Sequence, residues 1–339
     1  MPVQEHLPTS PDHLTLMSRE DMIEQYGGMV DAQIAKRSIM RQFVDMPLLR
    51  GTDTKTVRRM GDTTLQRVGD DEAGQEMQAI PRNFDRAQVT VDTVILARDA
   101  RPLLNELQTD FNARREIAVD HGKTIAKFFD AALLSMGVKT AMLNVTAGVA
   151  EGILGNQGRD LGDAFKSGST ETLAAVGDET DPDALYAAIE SVLVGLEEND
   201  VDTDEQAIFL RPRQYSVLLN NDKLINRDFS RDNGDFANGT LKTVRGVPIV
   251  STARLADTNL APELAKLGAQ YVPTAAELRC QALILHPHTL LGAEAIPLTS
   301  NIHYSDLRLA WYIDSYLSFA AAPRRPDQAG AVFSAAPAP

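Results

Sequence analysis

Residues 102–136 read PLLNELQTDFNARREIAVDHGKTIAKFFDAALLSM, and this stretch decides the fold. Its apolar residues recur at three- and four-residue steps, and no proline follows the first position, which predicts a single helix that Pro102 opens. Such a helix would be about 50 Å long at 1.5 Å per residue, which is longer than a globular domain of this size needs. The apolar stripe is thin around residues 114–116 and His121, so part of the helix should face polar groups or a neighbouring chain. Two shorter helices broken at His121-Gly122 are the alternative.

The segment before this helix, residues 50–81, is rich in Gly, Thr, Arg, Asp and Gln and divides into short alternating runs. It contains few apolar residues that could be buried. A strand-like segment of about thirty residues with almost no core is unusual, because connections inside a domain are typically ~4 to 6 residues long. We therefore predict a long hairpin that packs on something outside its own domain. A mobile surface loop is the alternative.

Patterns in the rest of the sequence predict further helices and strands before and after these two features. The segment up to Pro47 carries two amphipathic pieces and is predicted to be an arm. Asp181 is placed to cap a helix that starts at Pro182. Strands are predicted at residues 89–97, 206–210, 282–285, 289–292 and 307–319. The mixture predicts an α+β fold that includes a compact α/β subdomain.

The amino-acid composition of the chain limits the classes of function that it can have. Asp and Glu outnumber Lys and Arg by 47 to 33 in a chain of 339 residues, giving a formal charge of -14. Most of the surface should repel phosphate, which disfavours a dedicated nucleic-acid binder. A lone cysteine allows no intrachain disulfide, nothing at the start of the sequence resembles a signal peptide, and no run of the ~18 to 20 apolar residues that a membrane span needs is present. We expect a protein made and kept in the cytoplasm, without a membrane partner.

The sequence presents no recognisable set of catalytic or metal-binding residues. The acidic run at 200–204 fails as a calcium loop because Glu205 stands where the glycine belongs. His286 and His288 have no further ligands nearby, and Cys280 leads into a strand that should be buried. We therefore predict no catalytic residue, no cofactor and no metal, and a protein that is not an enzyme. A cytosolic α/β enzyme whose active site is spread over distant loops is the alternative.

Four short strings add a family resemblance to this order of elements. They are VTVD at 89–92, QAIFL at 206–210, VRGVPIV at 244–250 and RPDQAGAV at 325–332. Together with the core-poor hairpin and the long helix, they resemble the major capsid proteins of tailed bacteriophages, which have the Johnson fold. The string at 325–332 is the most specific and is similar to the ending found in the short-tailed, podovirus-type branch.

The resemblance implies a division of the chain. The expected parts are an N-terminal arm (1–49), an extended loop (50–88), a P-domain (89–140) with a spine helix (102–136), an A-domain (141–281), returning strands of the P-domain (282–329) and a C-terminal tail (330–339).

The resemblance also implies a function. Such subunits form pentamers and hexamers that build an icosahedral head around double-stranded DNA. The implied partners are other copies of the chain, a scaffolding protein during assembly, a portal at one vertex, a possible decoration protein, and packaged DNA without sequence-specific contact. The expected location is the virion shell, assembled in the host cytoplasm. An encapsulin-type cellular shell is a related alternative, and the ending at 325–332 favours the phage branch.

The extended loop is expected to lie over an adjacent subunit and to meet opposite charge there. Its candidate contact residues are Arg58, Arg59 and Arg67 on the basic side and Asp70, Asp71 and Glu72 on the acidic side.

Overall fold

The computed structural model describes residues 19–60, 84–102, 113–143, 167–201, 204–225, 234–235, 238–255 and 258–335. Helices and sheets are both present, so the predicted α+β class is confirmed. The helices are α1 (Arg19–Arg37), α2 (Met40–Phe43), α3 (Ala113–Met142), α4 (Pro182–Glu198), α5 (Pro212–Leu218), α6 (Asp222–Ile225) and α7 (Ala261–Leu264). The strands are β1 (Thr54–Met60), β2 (Phe84–Thr90), β3 (Ile95–Pro102), β4 (Ser169–Thr172), β5 (Ala207–Leu210), β6 (Gly234–Asp235), β7 (Thr240–Leu241), β8 (Thr243–Val244), β9 (Val247–Ser251), β10 (Cys280–Leu285), β11 (Leu290–Ser305), β12 (Ala310–Pro323) and β13 (Ala329–Phe333).

The long helix α3 is unbroken over its 30 residues, about 45 Å at 1.5 Å per residue. It continues through His121 and Gly122, so the alternative of two helices broken there is wrong. Its predicted start is also wrong, because Pro102 is the last residue of β3 and pairs with Ala310 of β12. A proline is tolerated there because β3 is the edge strand of its sheet. Residues 103–112 lie outside the described part of the chain.

The end of α3 lies beyond the predicted limit at Met136. The helix passes Gly137 and ends at Met142. A Cβ at Gly137 would lie 2.9 Å from Cδ1 of Leu285 on β10, so a larger residue there would force the Leu285 side chain to shift. The glycine at the predicted helix end therefore lies where the helix packs against β10.

A six-stranded sheet, in the order β4-β13-β10-β5-β9-β8, lies between α3 and α4. Side chains alternate along β10, so that Leu283 and Leu285 belong to the core around α3, while Ala282 and Ile284 belong to the core around α4. Both faces are buried, which explains why the strands read as continuous apolar runs. The predicted start of α4 is confirmed, because the Asp181 side chain accepts a hydrogen bond from Asp183 N at the helix start.

A second sheet has the order β11-β12-β3 and is dominated by the long antiparallel pair β11–β12. Two predicted strands are corrected here. The strand predicted at 89–97 is two strands, because β2 ends at Thr90 and β3 begins at Ile95. The strand predicted at 307–319 begins at Ala310, since residues 306–309 form the turn of the hairpin. The alternating leucines of that turn imitate a strand pattern.

The described ends of the predicted hairpin form an antiparallel ribbon, with Thr54 opposite Thr90 and Met60 opposite Phe84. Residues 61–83, which would connect these strands, lie outside the described part. One face of the ribbon packs on the β11–β12 sheet through a small cluster of buried side chains: Ala87, Val89, Val91, Leu291, Ala293, Ala320 and Ala322. The base of the ribbon is therefore anchored on its own chain.

The segment predicted as a C-terminal tail begins inside a buried strand. β13 covers residues 329–333, is buried at every position, and lies between β4 and β10. Its Ala-Gly-Ala-Val sequence is too short and too uniformly small to show a strand period, which is why the prediction placed the boundary at residue 330. The other proposed domain boundaries, including those of the A-domain at 141 and 281, remain predictions.

Candidate functional site

Of the six predicted contact residues, Arg58 is the one whose side chain can be placed. It is exposed on β1 and stands directly opposite the exposed Arg86 of β2. Like charges in directly opposed positions destabilise a strand pair, so this face of the ribbon favours an anion from outside. The backbone of Arg59 pairs with that of Asp85. The remaining four, Arg67, Asp70, Asp71 and Glu72, lie outside the described residues.

A second exposed feature is the tip of the β11–β12 hairpin. Leu307 is 96% exposed and Leu309 61% exposed. Leu309 also has a positive φ of 47°, a conformation that costs a residue with a Cβ free energy. Two exposed leucines on a strained turn at the end of a long hairpin indicate a contact surface, because solvated turns are usually polar.

The N-terminal arm packs on the long helix along most of α1. Tyr26, Val30 and Ile34 are buried in the core that surrounds α3. The two helices approach closely at Gly122, where a Cβ would lie 2.7 Å from Cβ of Gln33 and 3.0 Å from the carbonyl oxygen of Val30. The described part of the predicted arm is thus an integral part of the subunit core.

Asp130 of α3 is the main polar anchor of the arm. Its carboxylate is fully buried, with 0% of the residue exposed. Ser38 Oγ donates to it at 2.5 Å, and the backbone amides of Ile39 and Met40 donate at 3.0 and 3.2 Å. Arg254, from the loop after β9, donates its Nη1 to the same carboxylate. One side chain therefore joins the arm, the long helix and the six-stranded sheet.

A polar cluster beneath α1 has the residue types of a serine-hydrolase triad. His121 Nδ1 lies 2.6 Å from the Tyr26 hydroxyl and 3.3 Å from Ser315 Oγ, and its Nε2 lies 3.1 Å from Asp99 Oδ2. A nucleophilic serine must reach substrate, yet Ser315 is fully buried while Asp99 is 53% exposed at its side chain. Burial raises the pKa of Tyr26 to about 12, so its hydroxyl keeps its proton. Among the described residues, the cluster holds α1 onto the sheet, and its serine is closed to a substrate.

A partly buried ion pair fixes the C-terminal end of the predicted arm. Arg41 Nη1 donates to Glu294 Oε1 at 2.8 Å, and Glu294 is buried on β11. The backbone of Glu294 also pairs with this segment, since its N donates to Pro47 O at 3.1 Å and its O accepts from Leu49 N at 2.7 Å. Burial raises the pKa of the Glu294 carboxyl above its ordinary 4.5, and Arg41 partly offsets the rise.

Arg41→Gln is expected to destabilise the subunit in a pH-dependent way. Because its pKa is raised in the folded chain, Glu294 contributes stability at acid pH, and this contribution falls as the pH rises through the folded-state pKa. Removing Arg41 raises that pKa further. We expect a loss of about 2 kcal/mol near neutral pH, and a smaller loss at a pH below the ordinary carboxyl pKa. Urea unfolding of the native chain and of Arg41→Gln at the two pH values measures this loss of stability.

The matched control is Arg245→Gln, which removes an exposed arginine paired with Glu190 and Glu197 at 3.4 and 3.0 Å. Exposed pairs contribute about 0 to 1 kcal/mol, so this control is expected to change little at either pH. If Arg41→Gln lost the same free energy of unfolding at both pH values, the role assigned to Glu294 would be contradicted.

The candidate reactive or metal-binding residues of the sequence, Cys280, His286 and His288, have surroundings typical of residues with a structural role. Cys280 is fully buried, and burial raises the pKa of its thiol to about 12, so a reactive thiolate is not available. The His286 and His288 rings lie 5.1 Å apart, and His288 N donates to His286 Nδ1 at 3.1 Å. Within the residues that the structure describes, no group of three His, Cys, Asp or Glu side chains could hold a metal ion. In the same residues, no helix is long and apolar enough to cross a membrane.

Solved phage capsids share this arrangement of helices and sheets. The chain matches the asymmetric unit of the bacteriophage PhiM1 mature capsid with a TM-score of 0.72 and 27% identity, over 89% of this chain and 88% of that chain. The capsid of cyanophage P-SCSP1u matches with a TM-score of 0.71 and 15% identity, over 88% and 89%. This chain has the fold of a bacteriophage major capsid protein. A capsid of an empty gene transfer agent particle shares it less closely, with a TM-score of 0.56 and 12% identity over 88% and 90%.

The capsid fold predicted from the sequence is therefore confirmed, although no family model and no curated protein matches the chain. The string at 325–332 gains a structural explanation. Arg325 N donates to Thr289 O at 3.1 Å, a short 3₁₀ turn follows at Pro326–Gln328, and β13 then enters the six-stranded sheet. The assignment to the short-tailed branch remains a prediction.

Proposed function

We propose that this chain is the major capsid protein of a tailed bacteriophage, the structural subunit of an icosahedral head. The observation that carries the proposal is the match to the PhiM1 capsid along almost the whole of both chains. The subunits assemble as pentamers and hexamers and enclose double-stranded DNA. The protein is structural and does not catalyse a reaction; the triad-like cluster at His121 is inaccessible to substrate.

Two surfaces support self-association. The ribbon presents Arg58 and Arg86 side by side, which favours acidic groups of a neighbour. The hairpin tip presents Leu307 and Leu309, whose burial against a neighbour would remove apolar surface from water. The proposed contact with the adjacent subunit also includes Arg67, Asp70, Asp71 and Glu72.

The remaining partners follow from the proposed role. A scaffolding protein guides assembly in the host cytoplasm, a portal occupies one vertex, and a decoration protein can bind the finished shell. The excess of acidic residues, with a formal charge of -14, suits a container that must hold DNA without adhering to it.

Negative-stain electron microscopy of the purified chain over a concentration series tests the proposal. We expect shells, tubes, or separate pentamers and hexamers that grow in number with concentration. A cytosolic enzyme, the alternative, would give a small particle of fixed size. Particles that stay monomeric or dimeric at every concentration would contradict the capsid role.

A further inference from the structure

Two adjacent glycines, Gly27 and Gly28, lie in the middle of the 19-residue helix α1, and the helix runs unbroken through them. Compared with alanine, each glycine in a helix interior shifts the equilibrium away from the helix by about fivefold, and a pair by about 25-fold. Adjacent small residues of this kind are positions at which helices kink. The middle of α1 is therefore its weakest point.

Packing requires neither of the two glycines. Gly28 is exposed, and a Cβ there would meet no other part of the described chain within 4 Å. A Cβ at Gly27 would lie 3.8 Å from Cβ of Ser300, which is an ordinary contact distance. Neither glycine has the positive φ that only glycine adopts without strain. Closer packing thus does not offset the loss of helix stability at these positions, and such an uncompensated loss indicates a functional role.

The part of α1 that follows the glycines is fixed on α3. Val30 and Ile34 are buried in the core around α3. The two helices lie so close that a Cβ at Gly122 would be 3.0 Å from the carbonyl oxygen of Val30. Directly after α1, Ser38 Oγ donates to the buried Asp130 at 2.5 Å. This half of the helix cannot move without opening the core around α3.

Tyr26, the residue directly before the glycines, is held by hydrogen bonds that have a substitute. Its hydroxyl lies 2.6 Å from His121 Nδ1 and 3.1 Å from Ser315 Oγ. With its proton on Nε2, His121 donates to Asp99 at 3.1 Å, and its Nδ1 accepts from the Tyr26 hydroxyl. Ser315 Oγ also lies 3.3 Å from His121 Nδ1 and can donate to it if Tyr26 leaves. Undocking of Tyr26 therefore does not leave the buried imidazole nitrogen unpaired.

We propose that α1 is hinged at Gly27–Gly28 and that Tyr26 is the latch that holds its first two turns on the β11–β12–β3 sheet. With Tyr26 docked, residues 19–26 continue the helix. With Tyr26 undocked, they take a second direction while the rest of α1 stays on α3. The use of the hinge rests on the proposed shell function, because one sequence must then fit the different surroundings of pentamers and hexamers.

The distance between two spin labels tests the hinge in the unassembled subunit. One pair of labels, at Glu20→Cys and Lys127→Cys, joins the first turns of α1 to an exposed position on α3. The control pair, at Lys36→Cys and Lys127→Cys, joins the fixed half of α1 to the same position. The native Cys280 is fully buried and takes up no label. We expect two distance populations for the first pair and one for the control pair.

Variants of the latch and of the hinge should change the undocked population in opposite directions. Tyr26→Phe removes the hydroxyl, and the ratio of undocked to docked subunits is expected to rise about tenfold. Gly27→Ala with Gly28→Ala is expected to lower that ratio about 25-fold, because alanine favours the continuous helix. Gly28→Ala with Ala32→Gly keeps the composition but moves one glycine into the fixed half, and should lower the ratio as Gly28→Ala does alone.

The outcomes separate the hinge from the proposed function. A single population for the first label pair in both the native and the Tyr26→Phe subunit would overturn the hinge, as would two populations that the double alanine variant leaves unchanged. In micrographs, the double alanine variant is expected to give several-fold fewer closed shells than the native chain at equal concentration. Equal numbers would overturn the use of the hinge in the shell. A native chain that never assembles would overturn the shell function and leave the spin-label result standing.

Discussion

A chain in which residues 61–83 are replaced by an Asn-Gly turn is expected to fold but to form no closed shells. Met60 and Phe84 stand opposite each other, so a two-residue connection closes β1 onto β2 as a tight hairpin. The shortened ribbon keeps Ala87 and Val89 on the β11–β12 sheet, so the described cores are untouched. The removed segment carries most of the charges proposed to meet a neighbour.

Circular dichroism and thermal unfolding report the fold of the truncated subunit, and sedimentation with negative-stain microscopy reports assembly. A second variant keeps the segment and carries Arg58→Ser and Arg86→Ser. Because it removes opposed like charges, we expect an unchanged or slightly more stable subunit that assembles at a higher threshold concentration. Native shells from the truncated chain would refute the role of the extended loop in assembly.

Asp130→Ala is expected to be the most destabilising single substitution in the arm region. It leaves Arg254, Ser38 Oγ and two backbone amides without their buried acceptor. Removing one partner of a buried ion pair costs about 3 to 5 kcal/mol. We expect that loss in urea unfolding, together with faster tryptic cleavage at Lys36 and Arg37, because the arm loses its anchor.

Asp120→Ala is the matched control, since Asp120 lies on the same helix and is exposed. A surface substitution of this kind is expected to change stability by less than about 0.5 kcal/mol. Asp130→Asn keeps the shape of the side chain and a hydrogen-bond acceptor but loses the charge. Its loss of stability should lie between those of Asp130→Ala and Asp120→Ala. Equal urea unfolding midpoints for Asp130→Ala and Asp120→Ala would show that Asp130 does not anchor the arm.

Features with a regular local period could be predicted from the sequence. The buried face of α4 follows a 3.6-residue repeat behind a clear cap at Asp181, and both are confirmed. The long helix was identified for the same reason, although its ends were misplaced. Both errors came from residues with a tertiary role: Pro102 is tolerated at a sheet edge, and Gly137 makes room for Leu285.

The polar anchors could not be predicted, because each joins residues far apart in the sequence. Asp130 binds residues about 90 positions earlier and Arg254 124 positions later. The strand predicted at 307–319 includes Leu307 and Leu309, because alternation alone does not reveal a turn.

The place of β13 in the six-stranded sheet constrains how the protein folds during synthesis. β4 pairs in parallel with β13, whose Gly330 follows its partner Ser169 by about 160 residues. At translation rates of about 5 to 20 residues per second, β4 waits roughly 8 to 32 s for its neighbour. β10 is translated before β13 and can already pair with β5, so β4 is the strand of this sheet that waits longest for its neighbour. The six-stranded sheet therefore stays incomplete until residues 329–333 have been translated, which delays encounters between fully folded subunits.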